Sequence, residues 1–431
     1  MNATAWMAVA VFAVAYVFIA TEKIHRVAAA LGGAVLMLLI GATDTETAFF
    51  SEDAGIDWRV IFLLMGMMLI VAVMQRTGLF EYIAIWSVKR ARGRPFRVMV
   101  ILVLVTAVAS AALDNVTTVL LIAPVTFLVC DRLAVPAAPF LIAEALASNI
   151  GGTATLVGDP PNIIIAARGG LAYNDFLVHL APFVALLLVV FVAVCRWLFR
   201  SAFAYNTARA KEVMKLREGD AIRDRRLMII SLIVLGTVTA AFVLHTVVHL
   251  EPAVIAMVGG LVLLAASRLD AHDVARDVEW PTLAFFAGLF VMVGALVHTG
   301  VVDQISRAAA DATEGRLFLT SMVLLWGSAV LSAIVDNIPY VATMSPVVAD
   351  LVHAGGDGQS QVLWWSLALG ADLGGNATAV GASANVVILG LAERNGRPIT
   401  FWQFTKYGLI VAAVTITLAM PYLWLRYFAF T

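Results

Sequence analysis

The sequence predicts an all-α integral membrane protein made of two inverted repeats of five transmembrane helices, each repeat carrying a re-entrant hairpin and a discontinuous helix. Three observations carry this reading. The 431 residues are 62% hydrophobic and 13% charged, with a mean hydropathy of +0.94, against the roughly half-apolar usage of soluble domains. The chain resembles itself at an offset of 222 to 223 residues. Glycines, prolines and Asp-Asn pairs interrupt apolar stretches that would otherwise run unbroken.

Lipid leaves only helices or closed barrels as spanning structures, because backbone groups there must be satisfied internally. A hydrocarbon core of roughly 30 Å takes about 20 apolar residues at 1.5 Å each. Read in order, the first half gives spans at 4–20, 24–41, 58–75, 139–168 and 176–199. The second half gives 227–248, 252–267, 280–298, 361–392 and 407–428. The first apolar run has no basic flank and no small-residue cleavage site, so it reads as a retained span and not a signal peptide. Two stretches remain, 98–130 and 320–350, each with Asp-Asn at its middle. Their arms, about 15 residues each, are too short to cross but long enough to enter and return. A single tilted helix with a polar kink is the alternative. With hairpins, each half crosses an odd number of times, so the halves must be inverted.

The repeat is read residue by residue. With a shift of 222, Trp58 meets Trp280, Gly66 meets Gly288, Asp114-Asn115 meets Asp336-Asn337 and Pro124 meets Pro346. A shift of 223 then sets "GGTATLVGDPPN" on "GGNATAVGASAN". Three collinear blocks at nearly one offset leave little room for chance.

Charge gives the orientation. The loop 76–97 holds six basic residues and the segment 200–226 holds eight, together half of the 28 in the chain. The positive-inside rule places both in the cytoplasm. The copy of the first loop, 299–316, has only Arg307 and Arg316 against Asp303, Asp311 and Glu314, as inversion requires. The expected organisation is a first repeat over 1–199, a cytoplasmic basic linker over 200–226 and a second repeat over 227–431, in the inner (cytoplasmic) membrane. Orientation accounts for the basic linker, and no nucleic-acid partner is expected.

Inverted repeats with broken helices meeting at mid-membrane are the architecture of secondary transporters. Gly151, Gly152, Gly158, Pro160 and Pro161 would unwind the crossing 139–168 and offer its amides and carbonyls to a ligand. The second copy keeps the glycines but has Ala382-Ser383-Ala384 where the first has Asp159-Pro160-Pro161. Ionisable groups inside apolar segments are functional candidates by default: Asp114, Glu144, Asp159, Asp336 and Asp372. Helix capping is the structural alternative for Asp114 and Asp336, and interfacial placement that for Glu144 and Asp372. The candidate substrate or ion site is Asp114, Asn115, Thr117, Thr118, Gly152, Thr153, Thr155, Asp159, Asn162, Asp336, Asn337, Asn376, Thr378 and Asn385, with Asp114 and Asp336 coupling protons. The motif blocks contain no Lys or Arg, which favours a neutral or cationic cargo. "TEKIHR", with Glu22, His25 and Arg26, reads as a charged turn, with gating or proton relay as the alternative.

Two cysteines, Cys130 and Cys195, make no metal cluster. No GxxxxGK loop occurs, so a gradient and not a nucleotide would drive transport. His179, His245, His249 and His298 lack paired metal or catalytic spacing. Neither an enzyme nor a cofactor is expected.

"LDNVTTVLLIAPVT", "SNIGGTATLVGDPPN" and "SAIVDNIPYVATMSP" resemble the ArsB/NhaD branch of the ion transporter superfamily, which includes arsenite efflux permeases and melanosomal P-protein-like carriers. The resemblance implies a homodimer on a scaffold domain and an elevator-type motion of a transport domain. In the related dicarboxylate carriers the hairpin tips read Ser-Asn-Thr; here they read Asp114-Asn115-Val116 and Asp336-Asn337-Ile338. The expected function is proton-coupled efflux of arsenite or antimonite, with the uncharged trihydroxide held by Asn115, Asn337, Thr155 and Thr378. The alternatives are sodium/proton antiport on the same aspartates, and an anion or dicarboxylate carrier. The partners are thus a small inorganic ion or oxyacid, protons or sodium, and the lipid bilayer.

Overall fold

The computed structural model describes residues 3–21, 23–51, 53–204, 214, 217–313, 315–356 and 358–429. Glu22, Glu314 and much of the basic linker expected over 200–226 lie outside the described residues. The described residues form helices and no strand.

The first half contains α1 (Ala3–Thr21), α2 (Arg26–Leu39), α3 (Thr45–Phe50), α4 (Trp58–Gln75), α5 (Leu79–Arg90), α6 (Pro95–Ala112), α7 (Asn115–Leu133), α8 (Ala138–Gly152), α9 (Pro160–Gly169), α10 (Tyr173–His179) and α11 (Ala181–Leu198). The second contains α12 (Arg225–Val248), α13 (Pro252–Ser267), α14 (Ala271–Asp277), α15 (Trp280–His298), α16 (Val301–Ala312), α17 (Leu317–Ile334), α18 (Asn337–Gly355), α19 (Val362–Gly374), α20 (Ser383–Arg394) and α21 (Phe401–Tyr427). Among the described residues, nine helices are long and apolar enough to cross a membrane, and α2 and α13 are shorter apolar helices. Three spans match their sequence bounds to the residue: α4, α13 and α15.

The hairpin arms are longer than expected. Instead of about 15 residues they have 18 and 19 in α6 and α7, and again 18 and 19 in α17 and α18; α6, α7 and α17 are among the nine helices long and apolar enough to cross, which corrects the expectation that the arms are too short to do so. Pro95 opens α6 as a favoured first-turn residue, and the apolar flanks carry the helices beyond the 98–130 window. The last span likewise begins at Phe401, where Thr400 caps it by accepting from the Gln403 amide at 3.1 Å. The expected span 176–199 divides at Leu180 into α10 and α11, because Pro182 cannot donate into a continuous ladder.

The two halves repeat in their bonds as well as in their letters. Ser110 Oγ donates to the Ser148 carbonyl at 2.6 Å, and Ser332 Oγ donates to the Ala371 carbonyl at 2.6 Å. The packing is reciprocal: α4 lies on α13 while its copy α15 lies on α2, and α9 lies on α18 while its copy α20 lies on α7. A pattern in which each element meets the copy of its partner's partner is that of a two-fold relation.

Burial grades from outside to inside. The shell helices α1, α11 and α12 expose apolar side chains such as Trp6, Val189 and Val247, as a lipid-facing surface does. By contrast every residue of α19, and every residue of α8 from Phe140 on, is buried. Such depth requires close backbone approach, which explains the glycines. A Cβ on Gly151 would collide with the Ala107 main chain, and one on Gly374 with Ala329. Gly151→Ala and Gly374→Ala should therefore each destabilise the fold, by about 1–3 kcal/mol from overpacking. Gly236→Ala, which opens into free space, should not. Thermal unfolding of the detergent-solubilised variants checks this.

Candidate functional site

Both broken helices are built the same way. α8 ends at Gly152 and α9 starts at Pro160, leaving 153–159 without regular helix. In the copy, α19 ends at Gly374, one 3-10 turn covers Gly375–Ala377, and α20 starts at Ser383. Each break is tied to its hairpin by a threonine. Thr155 Oγ1 donates to the Ala111 carbonyl at 2.6 Å and accepts from the Gly158 amide at 3.0 Å. Thr378 Oγ1 donates to the Ala333 carbonyl at 2.6 Å and accepts from the Val380 amide at 3.3 Å. Asparagines close the turns from inside: Asn162 Nδ2 donates to the Gly152 and Thr155 carbonyls at 3.4 and 3.0 Å, and Asn385 Nδ2 to those of Gly375 and Thr378 at 2.9 Å each. Gly152 and Gly158 touch backbone to backbone, as do Gly375 and Gly381, leaving no room for a Cβ.

The chemistry inside this symmetric frame is asymmetric. Asp159, fully buried, sits at the N-terminal cap position of α9 in extended conformation, as the following proline demands. Its carboxylate bonds outward to both hairpin tips. Asn115 Nδ2 donates to Oδ2 at 2.9 Å, and Asn337 Nδ2 to Oδ1 at 3.5 Å. One acid thus joins one tip to the other. Asn149, which is not among the residues expected from the sequence, is the hub of the remaining amides. It accepts from Asn115 Nδ2 at 3.1 Å and donates to Asn376 Oδ1 at 2.9 Å and Asn385 Oδ1 at 3.1 Å. The repeat could have found it, since a shift of 223 pairs Asn149 with Asp372.

Asp372 is the second buried acid, 0% exposed. Neither of its oxygens has a hydrogen-bond partner among the described residues. Thr153 and Asn162 lie close to it, while the Thr153 hydroxyl itself donates to the Asn149 carbonyl at 2.8 Å. Interfacial placement of Asp372 and of Glu144, which is 1% exposed, is therefore overturned: both span ends are covered by packed helices. Further buried oxygens without a partner are Asn115 Oδ1, Asn162 Oδ1 and Thr118 Oγ1, together with the nitrogen Asn376 Nδ2. Such atoms are rare in native interiors and leave donor and acceptor capacity at this junction that the protein itself does not use.

Asp114 and Asp336 cap hairpin helices. Asp114 accepts from the Thr117 amide at 2.8 Å, and Asp336 from the Ile338 amide at 3.0 Å. Their surroundings differ. Ser383 donates to Asp336, and Arg26, 3.1 Å from Ser383 Oγ, stands 4.0 Å from Asp336 Oδ2. The charged turn before α2 thus delivers a guanidinium to the second tip, although the motif blocks themselves contain no basic residue. Arg26 also lies over the Phe285 ring at 5.6 Å. Glu279, just before α15, shares this corner; burial and the nearby Asp114 push its carboxyl up, and Arg26 opposes them.

A bundle with an apolar shell and a polar junction of two broken helices and two hairpins is the architecture of a membrane transporter. The chain belongs to the CitMHS citrate transporter family, whose profile matches residues 16–370. An uncharacterised transporter of Mycobacterium tuberculosis strain H37Rv is 55% identical over 423 residues, 98% of each chain. A 46 kDa membrane protein of Mycobacterium leprae is 53% identical over 422 residues, again 98% of each. The human P protein is 33% identical over 499 residues, covering 97% of this chain and 59% of that longer protein. Among solved structures, the YdaH transporter of Alcanivorax borkumensis, described as having an unusual topology, superposes with a TM-score of 0.61 at 16% identity over 91% of this chain and 88% of its own. That likeness shows the fold alone.

The threonine ties allow a direct test. Thr155→Val and Thr378→Val each leave a half-buried carbonyl and a buried or half-buried amide unpaired, so each should lower stability by about 1 kcal/mol or more. Denaturant or thermal unfolding of the purified variants measures it.

Proposed function

We propose that the chain is a cation-coupled secondary transporter in which Asp372 and Asp159 hold the coupling ion, and that sodium/proton antiport is the reading its geometry favours. The observation that carries this is Asp372. A buried carboxylate with no donor costs several kcal/mol unless a cation or proton joins it. Asp372 also lies in the last turn of α19, the negative end of the helix dipole, whereas Asp159 lies at the positive end of α9 and already receives two amide donors. Asp159 is thus furnished as an anion and Asp372 is not. The unpartnered oxygens of Asn115, Asn162 and Thr118 suit a hard cation, which prefers carboxylate, carbonyl and hydroxyl ligands. In this reading Asp114 and Asp336 act chiefly as caps, with Asp336 latched by Arg26.

Efflux of arsenite or antimonite draws less support. The amides of Asn115 and Asn337 donate to Asp159, and the hydroxyls of Thr155 and Thr378 donate to the main chain. Of the four groups expected to hold the trihydroxide, the two amide nitrogens and the two hydroxyls are thus already engaged. A citrate-like cargo carries several negative charges and would need more positive partners than Arg26. The reading sets the chain on the NhaD side of the ArsB/NhaD branch. With it go the two inverted repeats over 1–199 and 227–431, a cytoplasmic 200–226 linker, an inner-membrane location, a homodimer and elevator-type motion.

Everted vesicles energised by respiration separate these readings. Sodium should collapse the proton gradient with the wild-type protein and fail to do so with Asp372→Asn, which installs the amide found at Asn149. Accumulation of radiolabelled arsenite or citrate without any sodium response would replace antiport with the corresponding carrier.

A further inference from the structure

Glu144 lies outside the central network and takes no part in holding the coupling ion. It sits in α8 among buried Ala143, Ala145 and Leu146, one helical turn before Ser148 and Asn149. The Thr126 hydroxyl of α7 donates to Oε1, and Oε2 has no partner. Cys130 of α7 lies within electrostatic reach of Glu144, and of Asp131 and Arg397 as well. Among the described residues no ion pair reaches Glu144. An ionised carboxylate held by one hydroxyl in such surroundings is costly.

The pair is not a packing requirement. The second repeat brings α18 against α19 in the same way, with Val348 at the position of Thr126 and Leu367 at that of Glu144. The acid was therefore placed in one repeat only, at a site where apolar residues suffice in the other. A cavity of about 510 Å³ opens at the α7–α8 turn, lined by Cys130, Asp131, Ala137, Ala138, Arg397 and Gln403; within α8 its lining reaches Ala138, six residues and about 9 Å along the axis before Glu144. Cys130 belongs both to that cavity and to the surroundings of Glu144. From Glu144 to Asn149 is five residues of α8, about 7.5 Å along the axis.

We propose that Glu144 is a further proton-carrying carboxyl, set between the cavity at 130–138 and the central network, through which protons exchanged at Asp372 and Asp159 reach that cavity. This rests on the cation-coupled reading. A proton taken from cavity water is held on Oε2. When it is passed inward, the carboxylate left behind keeps the Thr126 hydroxyl as its donor, and a second proton from the cavity restores it.

The test combines infrared difference spectroscopy with sodium/proton exchange in proteoliposomes across a pH series. Glu144→Gln should remove one protonated-carboxyl C=O band and slow exchange about tenfold or more, most at alkaline pH where protons are scarce, while sodium affinity stays unchanged. The double variant Thr126→Val, Glu144→Leu copies the pair of the second repeat and should fold with an undiminished unfolding midpoint yet show the same slowing. Exchange at the wild-type rate through the whole pH series by that double variant, or a carboxyl spectrum untouched by Glu144→Gln, overturns the proposal. If the wild-type protein moves no sodium, the cation-coupled reading fails by itself, and the Glu144 band still decides whether this residue carries a proton.

Discussion

The constraint on which the structure depends is the cost of negative charge away from water. A bundle whose shell faces lipid can keep carboxylates in its middle only where amides, helix ends or a bound cation compensate them. Asp159 shows one solution, with the side-chain amides of Asn115 and Asn337 and the N-terminal end of α9 all turned toward it. Asp372 shows the other, a carboxylate near Thr153 and Asn162 with no donor at hydrogen-bond distance among the described residues. The hairpins, the helix breaks and the buried α8 and α19 are what bring these two acids into one buried polar junction.

Symmetry supplies the frame and asymmetry the chemistry. The serine bonds from hairpin to broken helix, the threonine ties and the asparagine closures occur once in each half with nearly equal geometry. What differs is where each half keeps its acid. The first repeat has Asn149, Thr153 and Asp159 where the second has Asp372, Asn376 and Ala382. Two identical halves would place two like charges at equivalent points near the axis, or none. The exchanged positions give one acid at a helix start and one at a helix end, which are opposite electrostatic environments. Arg26 adds a further inequality, because it reaches the tip of the second hairpin through Ser383, where the first repeat has Pro160.

Much of this was legible in the sequence. Apolar length and the 222-residue offset located most of the apolar helices, because hydrocarbon thickness fixes span length and repeats conserve spacing, though 176–199 divides at Leu180 and the last helix starts at Phe401 and not at 407. Asp159, Asn115 and Asn337 stood out as polar residues in apolar blocks, and they do meet. Less legible was anything that depends on which partner a side chain finds. Thr155 and Thr378 look like ligands and are ties to the main chain; Asn149 looks like an ordinary polar helix residue and is a hub. Arg26, in a charged turn, lies 310 residues from Asp336 in sequence, and only the packing of α2 on α15 brings them together. Glu144 and Asp372 lie near the ends of their apolar runs, and hydropathy cannot see that neighbouring helices cover those ends.

The most direct measurement of the central claim is proton release on sodium binding, followed with a pH indicator in weakly buffered, purified protein. Sodium should expel protons from the wild-type protein and raise its unfolding midpoint, and Asp372→Asn should abolish both responses. A wild-type protein that binds sodium without releasing protons, or responds to sodium in neither way, would contradict the account.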